Sequence, residues 1–298
     1  MSLTVIREND LPGVAPAGAV RLAAVQMEPR ITEVSDNVGR TMTWLERAAA
    51  EGARLVVFPE CSLTGYCFTD AEEAATHALT PKSGLLEEIA ETCADLELTA
   101  VVGYVERTAT GIANTVSVIA GEGVTASYRK THLPHLGLDR WVEPGCEPLE
   151  PVNAAGVKTG LLICYDASFP EASRTLTLRG AELLVLPTNW PAEAVVKADW
   201  LPNTRAYENV VYFAAVNRVG EERGFVFHGR SRICGPTGDT LAQGPTDEEA
   251  LLLADVFPEK ARTKKIQRRG SDYWVDRIAH RRPDLYAAEL IDPEGDLG

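Results

Sequence analysis

Hydrophobic residues recur with two different periods along this chain. Compact apolar runs, typical of strands, alternate with longer segments in which apolar residues return every three or four positions, as on one face of a helix. The helical segments cover residues 37–50, 85–96, 170–178 and 196–208. The strand-like runs cover residues 17–27, 54–58, 99–107, 114–120, 124–130, 156–164, 182–187, 210–217, 231–236 and 250–257. Strand–helix–strand units mixed with hairpins predict a layered α/β or α+β domain whose helices cover the sheets.

The remaining segments set the predicted domain boundaries. Residues 1–19 are rich in Pro, Gly and Ala and predict a loosely ordered leader, whereas no Pro/Gly/Ser linker interrupts residues 20–269. We therefore expect one large domain over that range. The basic run PEKARTKKIQRR near its end reads as a helix. The tail, residues 270–298, contains Tyr273, Trp274 and Tyr286, and these aromatic residues predict that it packs against something.

Composition excludes several classes of function. The 298 residues carry 29 Lys and Arg against 43 Asp and Glu, for a net charge of −14, so nucleic acids and anionic membranes are unfavourable partners. No apolar run approaches the roughly 18 residues of a membrane helix, and the first ten residues do not resemble a signal peptide. The six cysteines are scattered without a Cys-x-x-Cys pair, which predicts reduced thiols, a cytoplasmic location and no zinc site.

The stretch GLLICYDASFPEASR places a thiol where a buried strand meets a helix. Ser168 and Glu171 have the spacing of a capping box, and Pro170 fits the first helical turn. A helix N-terminus facing Cys164 would favour a thiolate and a developing oxyanion. The alternative from this stretch alone is that Cys164 is a small buried hydrophobic residue.

Two further strand ends carry charged residues. Glu60 follows the apolar strand LVVF and Pro59, and Lys130 ends the strand SYRK. A buried glutamate has the raised pKa of a general base, and a fixed lysine can stabilise an oxyanion. Each residue also has an ordinary explanation. Glu60 could be a salt-bridged surface carboxylate, and Lys130 could be a solvated lysine on an edge strand. Together with Cys164 they supply the base, the anion stabiliser and the nucleophile that acyl transfer requires.

These motifs, in this order, resemble the nitrilase superfamily of carbon–nitrogen hydrolases. The matching stretches are FPECSLTGY around Glu60, YRKTHLP around Lys130 and GLLICYDASFPEASR around Cys164, with supporting stretches that include RGAELLVLPTNW, FHGRSRICGPTGD and RRPDLY. The resemblance implies a four-layer αββα sandwich, in which two facing sheets lie between outer helices. It also implies pairing of subunits through helices, hence a homodimer or a higher homo-oligomer.

The same resemblance assigns chemical roles. It makes Glu60 the general base, Lys130 the oxyanion stabiliser and Cys164 the nucleophile, with the backbone N–H of Tyr165 as a second oxyanion donor. It implies neither a metal nor an organic cofactor. Many relatives carry a second glutamate in the loop after the lysine. Here that loop reads HLGLDRWVEPG, so either Asp139 or Glu143 stands in that place, or both are solvated loop acids.

The residues after the nucleophile divide the superfamily. Cys164-Tyr165-Asp166 is similar to the amidase and carbamoylase branches, whereas nitrilases typically have Cys-Trp-Glu. The expected reaction is hydrolysis of a small amide, with an N-carbamoyl amine or amino acid as the alternative and a nitrile less favoured. Tyr66 and Trp190, in loops after catalytic strands, are candidate substrate-binding residues, although packing within a surface loop would also explain Trp190.

Two rival classes stay open on the sequence. A Cys–His site could use His132 or His135, although neither histidine has a visible orienting partner in the sequence. A catalytically silent scaffold of the same fold is the second, because fold does not imply activity. A scaffold, however, has no reason to keep Glu60, Lys130 and Cys164 together.

Overall fold

A computed structural model describes residues 4–8, 11, 13, 15–269 and 272–286. The chain divides into two compact units, Met1–Arg262 and Thr263–Gly298. The first unit contains two large mixed sheets and six helices, and the second contains a short hairpin. Every helix in these ranges is too short or too polar to cross a bilayer.

Seven strands form the first sheet, in the spatial order β1-β15-β2-β3-β4-β5-β6. They are β1 (Thr4–Arg7), β2 (Val20–Gln26), β3 (Leu55–Val57), β4 (Thr99–Arg107), β5 (Ile112–Ala120), β6 (Gly123–Arg129) and β15 (Ala250–Val256). β2, β3 and β4 are parallel, so their carboxyl ends meet at one edge. β4, β5 and β6 form the antiparallel meander that the sequence predicts.

Six strands form the second sheet, in the order β14-β13-β10-β9-β8-β7. They are β7 (Val152–Ala154), β8 (Val157–Leu161), β9 (Leu183–Thr188), β10 (Tyr212–Asn217), β13 (Arg232–Cys234) and β14 (Thr240–Gln243). β8, β9 and β10 are parallel. Two antiparallel pairs lie outside these sheets, β11 (Val219–Glu222) with β12 (Phe225–His228), and β16 (Lys265–Arg269) with β17 (Tyr273–Asp276) in the second unit.

The six helices are α1 (Val34–Ala50), α2 (Ala71–Thr76), α3 (Gly84–Asp95), α4 (Pro170–Leu178), α5 (Val195–Asn209) and α6 (Pro258–Arg262). The four longer ones, α1, α3, α4 and α5, cover the outer faces of the two sheets. Side chains of β2 alternate between two cores: Ala23 and Val25 pack with α1 and α3, whereas Leu22 and Ala24 pack with the second sheet. The second sheet in turn packs on α4 and α5. These contacts confirm the four-layer αββα sandwich.

Strands between two cores are apolar on both faces, as the structure shows for β3 and β9. The sequence therefore predicts them as continuous hydrophobic runs rather than as alternating patterns. The bounds of β4 and α4 agree with the predicted residues 99–107 and 170–178.

Three features differ from the sequence predictions. Within the predicted leader, Thr4–Arg7 forms an edge strand, since its backbone pairs in parallel with β15. The basic run at 258–269 is not one helix: α6 has five residues, and Lys265–Arg269 extends as β16 because it pairs with β17. The second compact unit also begins at Thr263, before β16, rather than after residue 269.

Candidate active site

Glu60 lies three residues beyond the carboxyl end of β3, at the edge of the sheet toward which β2, β3 and β4 all run. The chain there runs closely over Gly103 of β4. A Cβ atom at Gly103 would lie 2.5 Å from the Cys61 nitrogen and 2.8 Å from the Pro59 carbonyl oxygen. A glycine at this position thus allows the approach that buries Glu60 completely.

Lys130 follows the last residue of β6 and points into the same space. Its ammonium donates to Glu60 Oε1 at 2.8 Å and to Asp139 Oδ2 at 2.5 Å. All three side chains are inaccessible to solvent. The backbone of Lys130 is held on both sides, by Asn114 O at 2.9 Å and by Gly145 N at 2.8 Å.

Asn114, on β5, bridges the two carboxylates. Its amide nitrogen donates to Glu60 Oε1 at 2.7 Å and to Asp139 Oδ1 at 2.9 Å. The hydroxyl of Tyr66 donates to Asp139 Oδ2 at 2.7 Å. Sequence analysis misses Asn114, although a polar residue in the largely apolar run of β5 is a usable signal.

These contacts distinguish the two candidates for the second acid. Asp139 lies in the buried network, whereas Glu143 is exposed and accepts hydrogen bonds from the hydroxyls of Thr108 and Thr110. The prediction that Glu143 could occupy the site is therefore wrong, because its loop turns the side chain away toward solvent.

Cys164 begins a 3-10 turn, Cys164–Ser168, which starts three residues after the end of β8 at Leu161. Its φ is +46°, a left-handed conformation that costs a non-glycine residue about 1–3 kcal/mol and that clusters at functional sites. The predicted capping box of Ser168 and Glu171 does not form at the start of α4, because Phe169 rather than Ser168 is the N-cap and makes no side-chain cap. Backbone strain, rather than a capped helix, presents the thiol.

Burial dominates the electrostatics of the thiol. It raises the pKa of Cys164 to about 12, and the Glu60 carboxylate acts in the same direction. Lys130, the Thr188 hydroxyl and the Asn189 backbone N–H oppose this rise in pKa. The thiol is therefore protonated at neutral pH, and attack by sulfur requires a base.

Burial also raises the pKa of Glu60, against the lowering effect of Lys130. For Lys130, burial favours the neutral amine, but the negative charges of Glu60 and Asp139 outweigh it and raise the pKa well above its ordinary value. Two acids thus share one permanent cation. Among the described residues, Glu60 Oε2 has no hydrogen-bond partner, so one carboxylate oxygen is available beside the thiol.

Trp190 and Tyr165 complete the set of predicted residues. Trp190 follows β9 and is buried in the same core cluster as Cys164, and its indole Nε1 has no partner among the described residues. Tyr165 is half-buried, its ring edge-on to Phe169 at 5.1 Å and beneath the Lys197 ammonium at 4.9 Å.

The expectation that no histidine has an orienting partner is wrong for His132. Its Nδ1 lies 2.7 Å from Oδ1 of the buried Asp166, a contact that connects distant parts of the chain and leaves no trace in sequence spacing. The described residues contain no group of three or more His, Cys, Asp and Glu side chains arranged to hold a metal ion.

Comparison with known proteins gives the family. The profile of the carbon–nitrogen hydrolase family matches residues 21–265. A nitrilase of Pyrococcus abyssi is 34% identical over 248 residues, which cover 83% of this chain and 93% of that protein. The omega-amidase of Homo sapiens is 29% identical, over 92% of this chain and 99% of its own length. An N-carbamoylputrescine amidase of Solanum lycopersicum is 30% identical, over 87% and 91%.

Solved structures agree with the sequence relatives. A cysteine-to-alanine mutant of the Nesterenkonia sp. AN1 amidase in complex with butyramide superposes with a TM-score of 0.72 at 26% identity, over 83% of this chain and 95% of that one. A glutamate-to-glutamine mutant of the same amidase, with the acetamide moiety of fluoroacetamide added covalently at its active-site cysteine, gives a TM-score of 0.71 at 27% identity, over 84% and 95%. This chain therefore belongs to the carbon–nitrogen hydrolase family of the nitrilase superfamily and is a hydrolase of carbon–nitrogen bonds other than peptide bonds.

Proposed function

We propose that this protein hydrolyses a small amide through a thioester formed on Cys164. The observation that carries this proposal is the buried convergence of Glu60 and Lys130 beside that thiol, with Glu60 Oε2 available as a proton acceptor. Covalent addition at the active-site cysteine of the Nesterenkonia amidase supports the same role here.

The first half of the reaction forms the acyl-enzyme. Glu60 takes the proton of the Cys164 thiol, and the sulfur attacks the amide carbonyl carbon. The ammonium of Lys130 and the backbone N–H of Tyr165 stabilise the tetrahedral oxyanion. Collapse of this intermediate breaks the C–N bond, and Glu60 returns its proton to the leaving nitrogen, which departs as ammonia or an amine.

The second half regenerates the thiol. Glu60 takes a proton from a water molecule as the hydroxyl oxygen attacks the thioester carbonyl. The C–S bond then breaks, the carboxylic acid leaves, and sulfur regains a proton from Glu60. Asp139, Asn114 and Tyr66 keep Lys130 and Glu60 in place. No step in this scheme requires a metal or an organic cofactor.

The substrate class is tested by an ammonia-release screen over four groups: aliphatic amides, ω-amides, N-carbamoyl amines and amino-acid amides. The relatives named for omega-amides and N-carbamoylputrescine justify including both of those groups. Cys164→Ala serves as the blank, and Cys146→Ala, at an exposed free cysteine, serves as the matched control. Turnover that survives Cys164→Ala would contradict the thioester mechanism.

We also propose a homo-oligomer that assembles through α4 and α5. Val196, Trp200 and Tyr207 lie on one face of α5 and are exposed by 67%, 69% and 44%, with Leu178 of α4 exposed by 46%. An apolar patch of this kind favours burial against a partner surface. Light scattering of the wild type and of Trp200→Glu measures the molar mass in solution. A monomeric wild type would contradict the proposed assembly.

We also propose a reducing compartment such as the cytoplasm, because a catalytic thiol and five other unpaired cysteines fit that environment.

A further inference from the structure

Asp166, two residues after Cys164, is the most heavily hydrogen-bonded acid near the proposed nucleophile. It is completely buried. Its two oxygens accept from five donors: the backbone N–H of Ile163 at 2.8 Å, the hydroxyl of Tyr128 at 2.8 Å, Nδ1 of His132 at 2.7 Å, the backbone N–H of His132 at 3.1 Å and the hydroxyl of Thr131 at 3.2 Å.

The contact with Ile163 closes the turn that presents the sulfur. Ile163 N–H donates to Asp166 Oδ2, and Asp166 N–H donates back to Ile163 O at 3.0 Å. Cys164 and Tyr165 lie between these two bonds. The left-handed φ of Cys164 persists only where its surroundings hold it. Asp166 is the side chain that does so here.

The contacts with His132 join this turn to the other sheet. His132 lies two residues after Lys130, in the loop that leaves β6 of the first sheet, whereas Asp166 follows β8 of the second sheet. Because a carboxylate oxygen accepts, we assign Nδ1 of His132 as the donor of this bond. The His132 ring also stacks on Phe169, with centroids 3.9 Å apart and planes within 14°, and its side chain is 31% exposed.

We propose that His132 and Asp166 are positioning residues that lock the two oxyanion donors at a fixed separation. One donor, the ammonium of Lys130, belongs to the first sheet, and the other, the N–H of Tyr165, belongs to the turn after the second sheet. The His132–Asp166 bond ties the two segments together within two residues of each donor. This inference rests on the proposed function, because it assigns a role to groups that act on an oxyanion.

The physical reason is the steep dependence of catalysis on donor placement. An oxyanion hole works because its donors are already in position when charge develops on the oxygen. A displacement of about 1 Å can lower the rate by about 100-fold. A bond between the two donor-bearing segments limits such displacement, and it does so without touching the substrate.

Two variants of the full-length protein separate the hydrogen bond from the ring stacking. His132→Phe keeps a ring against Phe169 and loses the Nδ1 donor. His132→Asn loses the ring, but its side-chain amide nitrogen can replace Nδ1 as a donor to Asp166. For each variant we measure kcat and KM on the amide found by the ammonia screen, the rate of Cys164 alkylation by iodoacetamide, and the melting temperature.

We expect His132→Phe to lower kcat by about 30- to 100-fold, with a much smaller change in KM, because the loss concerns oxyanion stabilisation. His132→Asn should recover about tenfold of that loss, in line with a hydrogen bond to a charged acceptor. Alkylation by iodoacetamide passes through no oxyanion, so its rate should stay close to the wild-type rate in both variants.

Three outcomes would overturn the proposal: a wild-type kcat in His132→Phe, an equal loss of kcat in both variants, or a fall of the alkylation rate in proportion to kcat. An equal and complete loss would instead favour a Cys–His mechanism with His132 as the base. A failure of the proposed function would give a different result: the wild-type protein would keep its turnover after alkylation of Cys164.

Discussion

Two buried ion pairs in the first unit differ in how completely their hydrogen-bonding groups are satisfied. Arg218 donates to Glu222 Oε2 at 2.6 Å and to Pro29 O at 3.0 Å, and Glu222 Oε1 accepts from the backbone N–H groups of Tyr66 and Cys67 at 2.9 and 2.7 Å. Glu60 and Lys130 are equally buried. There, however, a second acid shares the cation and Glu60 Oε2 has no partner among the described residues.

This difference indicates a structural role for Arg218–Glu222 and a chemical role for Glu60–Lys130. A buried pair with every donor and acceptor filled can only hold its surroundings in place, and Arg218–Glu222 holds the loop that carries Tyr66. An incomplete network retains an acceptor for a proton and a cation for an anion, at a cost in free energy that a purely structural pair would not show. Of these two pairs, the incompletely satisfied one is the pair that the proposed reaction uses.

The largest expected effects come from neutralising the acid of each pair. Glu60→Gln should lower kcat by about 10²–10⁴-fold, the usual contribution of a general base, with little change in stability because Asp139 still pairs with Lys130. Glu222→Gln should change kcat far less than Glu60→Gln does, because Glu222 reaches the site only through the backbone of Tyr66. It should lower the free energy of unfolding by about 3–5 kcal/mol, because it leaves Arg218 buried without its counter-ion.

Steady-state kinetics measures kcat of both variants, and urea denaturation measures their free energies of unfolding. One variant should lose activity and the other should lose stability. Glutamine keeps the shape of the side chain and one of its two accepting oxygens at both positions, so each variant is the matched control of the other. If both variants lost the same stability and had similar kcat values, the two pairs would have the same role, and this would contradict the distinction.

Removal of the shared cation is the next largest change. Lys130→Met should lower the acylation rate by about 10²–10³-fold, the cost of one oxyanion donor, while substrate binding weakens much less. Single-turnover kinetics separates the two quantities. A variant that acylates at the wild-type rate once saturated with substrate would assign Lys130 to binding alone.

The second acid is tested by a pair of variants in one loop. Asp139→Asn should lower kcat by about 10- to 100-fold, since a hydrogen bond to a charged group contributes about 1.5–3 kcal/mol. Glu143→Gln, at an exposed acid four residues along the chain, should leave kcat unchanged. Equal effects in the two variants would mean that burial of Asp139 has no bearing on catalysis.

The smallest expected effect is a displacement of the pH profile. Glu60 must be ionised to accept a proton, and burial raises its pKa, so kcat/KM should fall on acidification at a pH above the ordinary value of a glutamate. In Lys130→Met this acidic limb should move to still higher pH, because Lys130 lowers the pKa of Glu60. A limb that moves to lower pH in the variant would contradict the assignment.

Much of the fold can be predicted from periodicity because most elements are buried in a regular way. β4, α4 and the parallel strands follow from apolar runs and helical spacing. The segment at 258–269 cannot be predicted in this way. Its spacing is typical of a helix, but its second half forms β16 because it pairs with β17. The leader strand likewise depends on a partner, β15, that lies more than 240 residues away along the chain.

Part of the site can also be predicted from the sequence, because three of its residues follow apolar strand-like runs. Glu60, Lys130 and Cys164 stand at strand ends beside recognisable motifs, and the structure brings Glu60 and Lys130 together beside the thiol. Asn114 and the His132–Asp166 contact lie outside that prediction. Their importance comes from convergence of segments on different strands, which residue spacing does not encode.

The central claim is that Cys164 carries the acyl group during turnover. Rapid acid quench of the protein with a responsive amide, followed by peptide mass spectrometry, measures this directly. We predict an added acyl mass on the Cys164 peptide that hydroxylamine removes and that accumulates during steady-state turnover. Ammonia release at the wild-type rate in Cys164→Ala, or an acyl group found on a different residue, would contradict the account.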